Sequence, residues 1–246
     1  MKSSQILSQR IDNLTLDQLY KSLKGRILAK KKALAFAMNV HILVKLSQDT
    51  ELKNRHNKAD YIYADGLPLV WLSNFSQMKL SGRVSGTDLC YKILNDPHNK
   101  VFLLGSTQRI LRKIKKKFGK SVIDYYSPSF KRVWEDSENI KIIQRINKSK
   151  ATVLLVAVGP TKQEEWLLNY FNLTSSLIGL GVGSALDIIS EEKPRAPLLL
   201  KDYGFEWLWR ILLEPRRLAR RYFADVLALT QLFISHLLKK LRLNLK

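Results

Sequence analysis

Acidic residues are scarce in this chain: 21 aspartates and glutamates stand against 42 lysines and arginines, leaving a net charge of +21. A surplus of that size points to a polyanionic partner, whether phospholipid, nucleic acid or a phosphorylated substrate, without choosing among them. Cysteine is scarcer still. Cys90 stands alone, so no intrachain disulfide can form, and a reducing, cytoplasmic setting fits. The four histidines have no metal-ligand spacing, and no two aspartates lie two positions apart as an Asp-x-Asp metal pair would require. No metal and no cofactor are therefore expected. Long apolar runs are missing as well. Residues 1–30 alternate charges with isolated apolar side chains, which gives no secretory leader. The most apolar stretch, 222–238, contains Asp225 and His236 and falls short of the ~20 residues a spanning helix needs. Its basic flanks, Arg220-Arg221 and Lys239-Lys240, suit a helix lying in a membrane interface instead.

What the chain does have is an alternation of strand and helix signals. Thr15-Leu16-Asp17-Gln18 reads as a capping box opening a helix to about residue 30, followed by a strand over 33–38 that ends at Asn39. A helix over roughly 40–53, a strand over 61–64 delivering Asp65-Gly66, and a strand over 101–104 ending at Gly105 come next. Thr107 caps a helix with Ile110, Leu111, Ile114 and Phe118 on one face and Arg109, Arg112, Lys113 and Lys115–Lys117 on the other. Further strands are expected over 122–126, 152–158 and 177–180, and helices over 140–149 and 163–171. This order predicts an α/β, Rossmann-like, mostly parallel sheet flanked by helices, with a basic and apolar C-terminal helical appendage that associates with a membrane. The length and 46% hydrophobic content suit one main core, here residues 1–200, with 201–246 as the appendage. No internal repeat or low-complexity linker divides it.

Glycines and polar residues collect at the predicted strand ends, where open α/β sheets bind ligands. The segments are Asn39, Ala64-Asp65-Gly66, Gly82-Arg83-Val84-Ser85-Gly86-Thr87-Asp88, Leu103-Leu104-Gly105, Lys162-Gln163-Glu164, Gly181-Val182-Gly183, Asp187, Arg195-Ala196-Pro197 and Glu206-Trp207. In order and spacing they resemble the WecG/TagA/CpsF glycosyltransferases over roughly residues 10–221. That resemblance implies an inverting transfer of sugar from a UDP-sugar to a polyprenyl-diphosphate-linked sugar in bacterial cell-surface polysaccharide synthesis, at the inner face of the cell membrane. It implies Asp65 as general base, with Asn39 beside it orienting hydroxyls. The leaving diphosphate needs cations, and with no Asp-x-Asp pair these are expected to be Arg83, Arg210, Arg217 and Arg220 rather than a metal. The spacing of the last three places them near one face of a helix, as in a tail closing over the site. Gln163, Glu164 and Asp187 complete the expected substrate contacts. The chain departs from the family pattern at Thr161, where a proline usually precedes Lys-Gln-Glu, and at Pro68 and Ser190-Glu191-Glu192-Lys193.

Ordinary structural roles stand beside these. Asp65 before a glycine suits a turn, Gln163 and Glu164 suit a helix first turn, Asp187 and Arg195 suit an ion pair, and Asp88 suits a helix cap. Three other readings compete: a nucleotide-dependent oxidoreductase, a basic nucleic-acid or membrane scaffold, and a non-catalytic partner of another transferase. Gly179-Leu180-Gly181-Val182-Gly183 is no G-x-G-x-x-G, and aromatic residues do not interleave with the basic run at 109–117, so nucleic acid is not expected as a partner. Off the membrane, the apolar tail packing on itself would give a homo-oligomer.

Overall fold

Side-chain alternation along the strands sets the layers of this protein. The computed structural model describes residues 2–131, 133–197, 199–200, 203 and 205–244, without the side chains of Arg217 and 239–244. In β3 (Ala33–Met38), Ala33 and Ala35 face one side of the sheet while Phe36 and Met38 face the other. The same split runs through β5 (Val101–Gly105) and β7 (Val153–Ala157), where every residue is buried. Strands covered on both faces are the mark of a parallel sheet. With β4 (Tyr61–Ala64), β6 (Val122–Tyr126) and β8 (Ile178–Gly181) they form one sheet in the order β4-β3-β8-β7-β5-β6, every pair parallel.

One face is covered by α1 (Leu16–Leu28), α5 (Gly86–Asn95), α6 (Gln108–Lys117) and α9 (Ala185–Ile189), through residues such as Leu19, Leu89, Ile114 and Leu186. Cys90 lies in this layer, fully buried, and burial pushes its thiol well above the usual range. The other face carries α2 (Val40–Gln48), α3 (Thr50–His56), α7 (Asp136–Ser149) and α8 (Lys162–Tyr170). The capping box at Thr15 forms, with Gln18 answering the Thr15 backbone.

The structure corrects several boundaries. The helix expected over 40–53 is two helices, because the Asp49 side chain accepts from the Leu52 N–H at 2.9 Å and starts α3 anew. The helix expected from residue 140 begins at Asp136, where Asp136 and Glu138 place negative charge in its first turn. The N-terminal segment, read as polar with isolated apolar residues, forms a hairpin of β1 (Ser3–Ile6) and β2 (Gln9–Asp12). Its turn residues Leu7 and Ser8 both have positive φ, 48° and 64°, as in a type I′ turn. The hairpin is pinned to the main sheet by the Ile62 N–H, which donates to Asp12 Oδ2 at 2.8 Å.

After α9 come α10 (Glu206–Leu213) and the long α11 (Pro215–Asn244). Helix α11 packs on α2, where Asp225 reaches His41 at 3.0 Å; Leu218 is buried, and beyond α2 Phe233 meets Phe75 edge-on at 5.1 Å. Among the described residues no helix is long and apolar enough to cross a membrane. A further short helix, α4 (Leu67–Leu72), follows β4.

Gly105 closes β5 where it meets β7. A Cβ there would lie 2.4 Å from the Ala157 carbonyl oxygen, and its φ of +105° is one that other residues rarely adopt. Gly105→Ala is expected to cost about 2 kcal/mol or more and to lower Tm by roughly 5 °C. Thermal unfolding followed by circular dichroism checks this, and an unchanged midpoint would refute it.

Candidate active site

Because the strands run parallel, their C-terminal ends lie on one edge, and there the chain opens a cavity of about 1180 Å³. Residues just beyond the tips of five strands line it, running Asp65, Asn39, Gly183, Gly159 and Ser106 across the sheet. Asn39 follows β3 directly and caps α2, its Oδ1 accepting from the Ile42 N–H at 3.0 Å. Asp65 follows β4, and its N–H donates to the Met38 carbonyl at 2.7 Å, which ties the two strand tips together. Burial raises the Asp65 pKa above the usual carboxylate range. The Arg210 guanidinium pulls it down, Glu206 pushes it up, and Arg83 and the Gly86 N–H pull it down.

The cations come from two directions. Arg83 precedes α5 and donates from Nη1 to Glu206 Oε2 at 2.6 Å, fixing α10 across the cavity. Arg210 also lines it. Helix α10 is held further by the Trp209 indole, which donates to the Pro194 carbonyl at 3.3 Å, and by Trp207 against Tyr222. The expected single arginine face is corrected here. Pro215 cannot continue a helix from Leu213, so Arg210 lies on α10 and Arg220 on α11. Arg220 is exposed and does not line the cavity, whereas Arg221 does, with its Nε buried and without a protein partner among the described residues. The side chain of Arg217 lies outside the described residues.

Gln163 and Glu164, in the first turn of α8, turn inward under β8. Gln163 Nε2 donates to Glu164 Oε1 at 2.8 Å and Gln163 Oε1 accepts from the Gly183 N–H at 3.0 Å. A Cβ on Gly181 would lie 2.9 Å from both Gln163 Nε2 and Glu164 Oε1. The missing side chain of Gly181 is therefore what admits these two side chains. Glu164 is 2% exposed, its Oε2 has no protein partner among the described residues, and burial lifts its pKa to about 7 despite the Gln163 bond. The turn into α8 holds Thr161 at φ +65°, a conformation a proline ring cannot adopt.

Two expected pairings are corrected. Asp187 pairs with Lys193 at 3.0 Å and accepts from Ser106 Oγ at 3.4 Å, while Arg195 pairs with Asp88. The cap of α5 is Ser85, to which the Asp88 N–H donates at 3.3 Å, since Asp88 sits three residues too far along. Lys193 also reaches Glu214 at 2.9 Å, bridging the site to the start of α11. Sequence reasoning missed Ser106, Lys193, Arg221 and the His41–Asp225 pair. Asp225 gave a signal: an acid inside an apolar helical stretch calls for a buried partner. Among the described residues no three His, Cys, Asp or Glu side chains gather as a metal site. The basic face of α6 is an ordinary solvated one, with Arg109 and Lys113 on Glu192 and Lys117 on Glu191.

A model of the glycosyl transferase WecG/TagA/CpsF family matches residues 4–243. The chain belongs to this family. Relatives of this WecG/TagA/CpsF member include the N-acetylglucosaminyldiphosphoundecaprenol N-acetyl-beta-D-mannosaminyltransferases of Staphylococcus aureus strains COL and MRSA252. Each is 29% identical over 222 residues, spanning 87% of this chain and 86% of the relative.

The raised Glu164 pKa has a stability consequence. Its folded value of about 7 lies above its ordinary 4.5, so its contribution is fully present below 4.5 and lost as pH rises through about 7. Glu164→Gln keeps an oxygen for Gln163 and removes the buried charge. The variant is expected to gain roughly 3 kcal/mol over the wild type above pH 7 and to flatten the decline below it. Denaturant midpoints measured across this range check the claim, and an undiminished decline in the variant would count against it.

Proposed function

We propose that this protein is an inverting transferase that moves a sugar from a UDP-sugar to a polyprenyl-diphosphate-linked sugar, without a metal, in the assembly of a bacterial surface polysaccharide. The observation that carries the reading is the half-buried Asp65 carboxylate at a strand tip, inside a large cavity lined by Arg83, Arg210 and Arg221. The names of the staphylococcal relatives support an N-acetylglucosaminyl-diphospholipid acceptor and an N-acetylmannosaminyl donor group.

In this mechanism Asp65 accepts the proton of the acceptor hydroxyl as its oxygen attacks the anomeric carbon. The bond from that carbon to the UDP oxygen breaks on the opposite face, and the pair of electrons leaves with the diphosphate. Guanidinium groups facing the cavity neutralise the developing charge, the role a metal fills in many transferases. Burial helps Asp65 as a base by raising its proton affinity, while Arg210 and Arg83 keep it ionised. Asn39 Oδ1 is committed to capping α2, so its amide nitrogen is the group available to orient a substrate oxygen. The C-terminal helix serves as a peripheral attachment to the inner face of the cell membrane, where such an acceptor resides.

UDP release from a panel of UDP-sugars, with a short-chain lipid-diphosphate sugar acceptor and chelator present, tests the reading. Turnover is expected to survive chelator and to fall by about 10²–10⁴-fold in Asp65→Asn. UDP binding without turnover on any donor would favour an accessory partner of another transferase. Turnover indifferent to Asp65→Asn would mean that another group is the base. The pH dependence gives a second check. The acid limb of kcat/KM should lie above the ordinary carboxylate range, since Asp65 works only when ionised. Removing a positive neighbour in Arg210→Gln should move that limb to still higher pH, and a limb moving down would contradict the assignment.

A further inference from the structure

The mouth of the cavity has a different chemistry from its floor. Four large apolar side chains that line it remain well exposed: Trp71 at 50%, Phe130 at 84%, Phe223 at 68% and Val226 at 57%. They come from three separate segments, namely α4, the loop between β6 and α7, and α11. Scattered apolar residues on a surface carry no message, but several gathered round one opening do.

The β6–α7 loop is the most telling of the three. It is braced: Ser129 donates from both its N–H and its hydroxyl to the Glu138 carboxylate, at 2.9 and 2.7 Å. The Trp134 indole donates to the Ser129 carbonyl at 2.8 Å. Lys162 Nζ donates to the Lys131 carbonyl at 2.5 Å and sits 3.9 Å above the Trp134 ring. Within this braced loop Phe130 and Val133 are exposed, the latter at 77%. The acids nearby are engaged, Glu135 by Lys131 and Glu138 by Ser129, while Asp136 lies in the first turn of α7.

Resting on the reading of a lipid-linked acceptor, we propose that this loop is a membrane-inserting wedge on the α/β core. Phe130 and Val133 enter the interfacial layer of an anionic bilayer, so that the cavity mouth is pressed against the surface from which the acceptor's diphosphate must enter. The wedge is a second contact, independent of the C-terminal helix and drawn from a separate segment of the chain. Apolar residues supply the depth of insertion, and the net charge of +21 supplies attraction to anionic headgroups. With two points of attachment the core would be held in one orientation rather than tethered.

The full chain and a Phe130→Ser/Val133→Ser variant are to be sedimented with vesicles of phosphatidylcholine and phosphatidylglycerol. The variant is expected to partition on the order of tenfold more weakly. In parallel, Phe130→Cys carrying an environment-sensitive dye should shift to the blue on vesicle addition, Cys90 being buried and unreactive. Unchanged partitioning with no blue shift would overturn the wedge. A blue shift produced by a short-chain isoprenyl diphosphate without vesicles would also overturn it, assigning the rim to the acceptor's chain. So would altered self-association with unaltered vesicle binding, which would make the rim a contact between copies. UDP release by the wild type on a soluble acceptor, measured alongside, separates the two ideas: transfer without wedge binding removes the wedge alone.

Discussion

Parallel strands all finish at the same edge of a sheet, and nearly every feature of this protein follows from that geometric constraint. Residues distant in sequence, Asn39, Asp65, Ser106, Gly159 and Gly183, become neighbours because each follows the last residues of a strand. The cost is that backbone amides and side chains at that edge lose the ladder. The fold answers with local bonds: the Asp65 N–H goes to Met38, Asn39 caps α2, and Gln163 accepts from the Gly183 N–H. The same side chains that satisfy the backbone are those presented to the cavity.

Electrostatically, the site balances the half-buried Asp65 against the cations around it. Arg83 spans to Glu206, and Lys193 bridges Asp187 to Glu214, so ion pairs join α10 and α11 to the core beside the apolar packing of Leu218 and Phe233. Pairs of this kind are individually weak at a partly solvated surface. An anionic ligand entering the cavity competes for the same arginines and lysine. The contacts that join these segments to the core and those that would hold a diphosphate are therefore drawn from one set.

Much of this was legible in the sequence, for physical reasons that can be named. The strands were readable because burial on both faces makes them continuous apolar runs, as in Val101-Phe102-Leu103-Leu104, and the tips were readable because glycines and polar residues interrupt those runs. What escaped depended on distant partners. The Leu7-Ser8 turn lacks the glycine or asparagine that marks a hairpin, so β1 and β2 gave no signal. The pairing of Asp187 with Lys193 rather than Arg195 is decided by how the 190–195 segment folds back, which spacing does not encode. Arg220 and Arg221 are adjacent, and only the orientation of α11 against α2 selects the second for the cavity.

Gly181 ties two parts of the chain into one heritable unit. Its missing side chain is the space that Gln163 and Glu164 occupy, so any larger residue at 181 is compatible only with shorter or withdrawn side chains at 163 and 164. Evolution along this lineage can alter the cavity lining elsewhere one residue at a time. At these three positions it must move them together, and they should appear across divergent descendants as a covarying block.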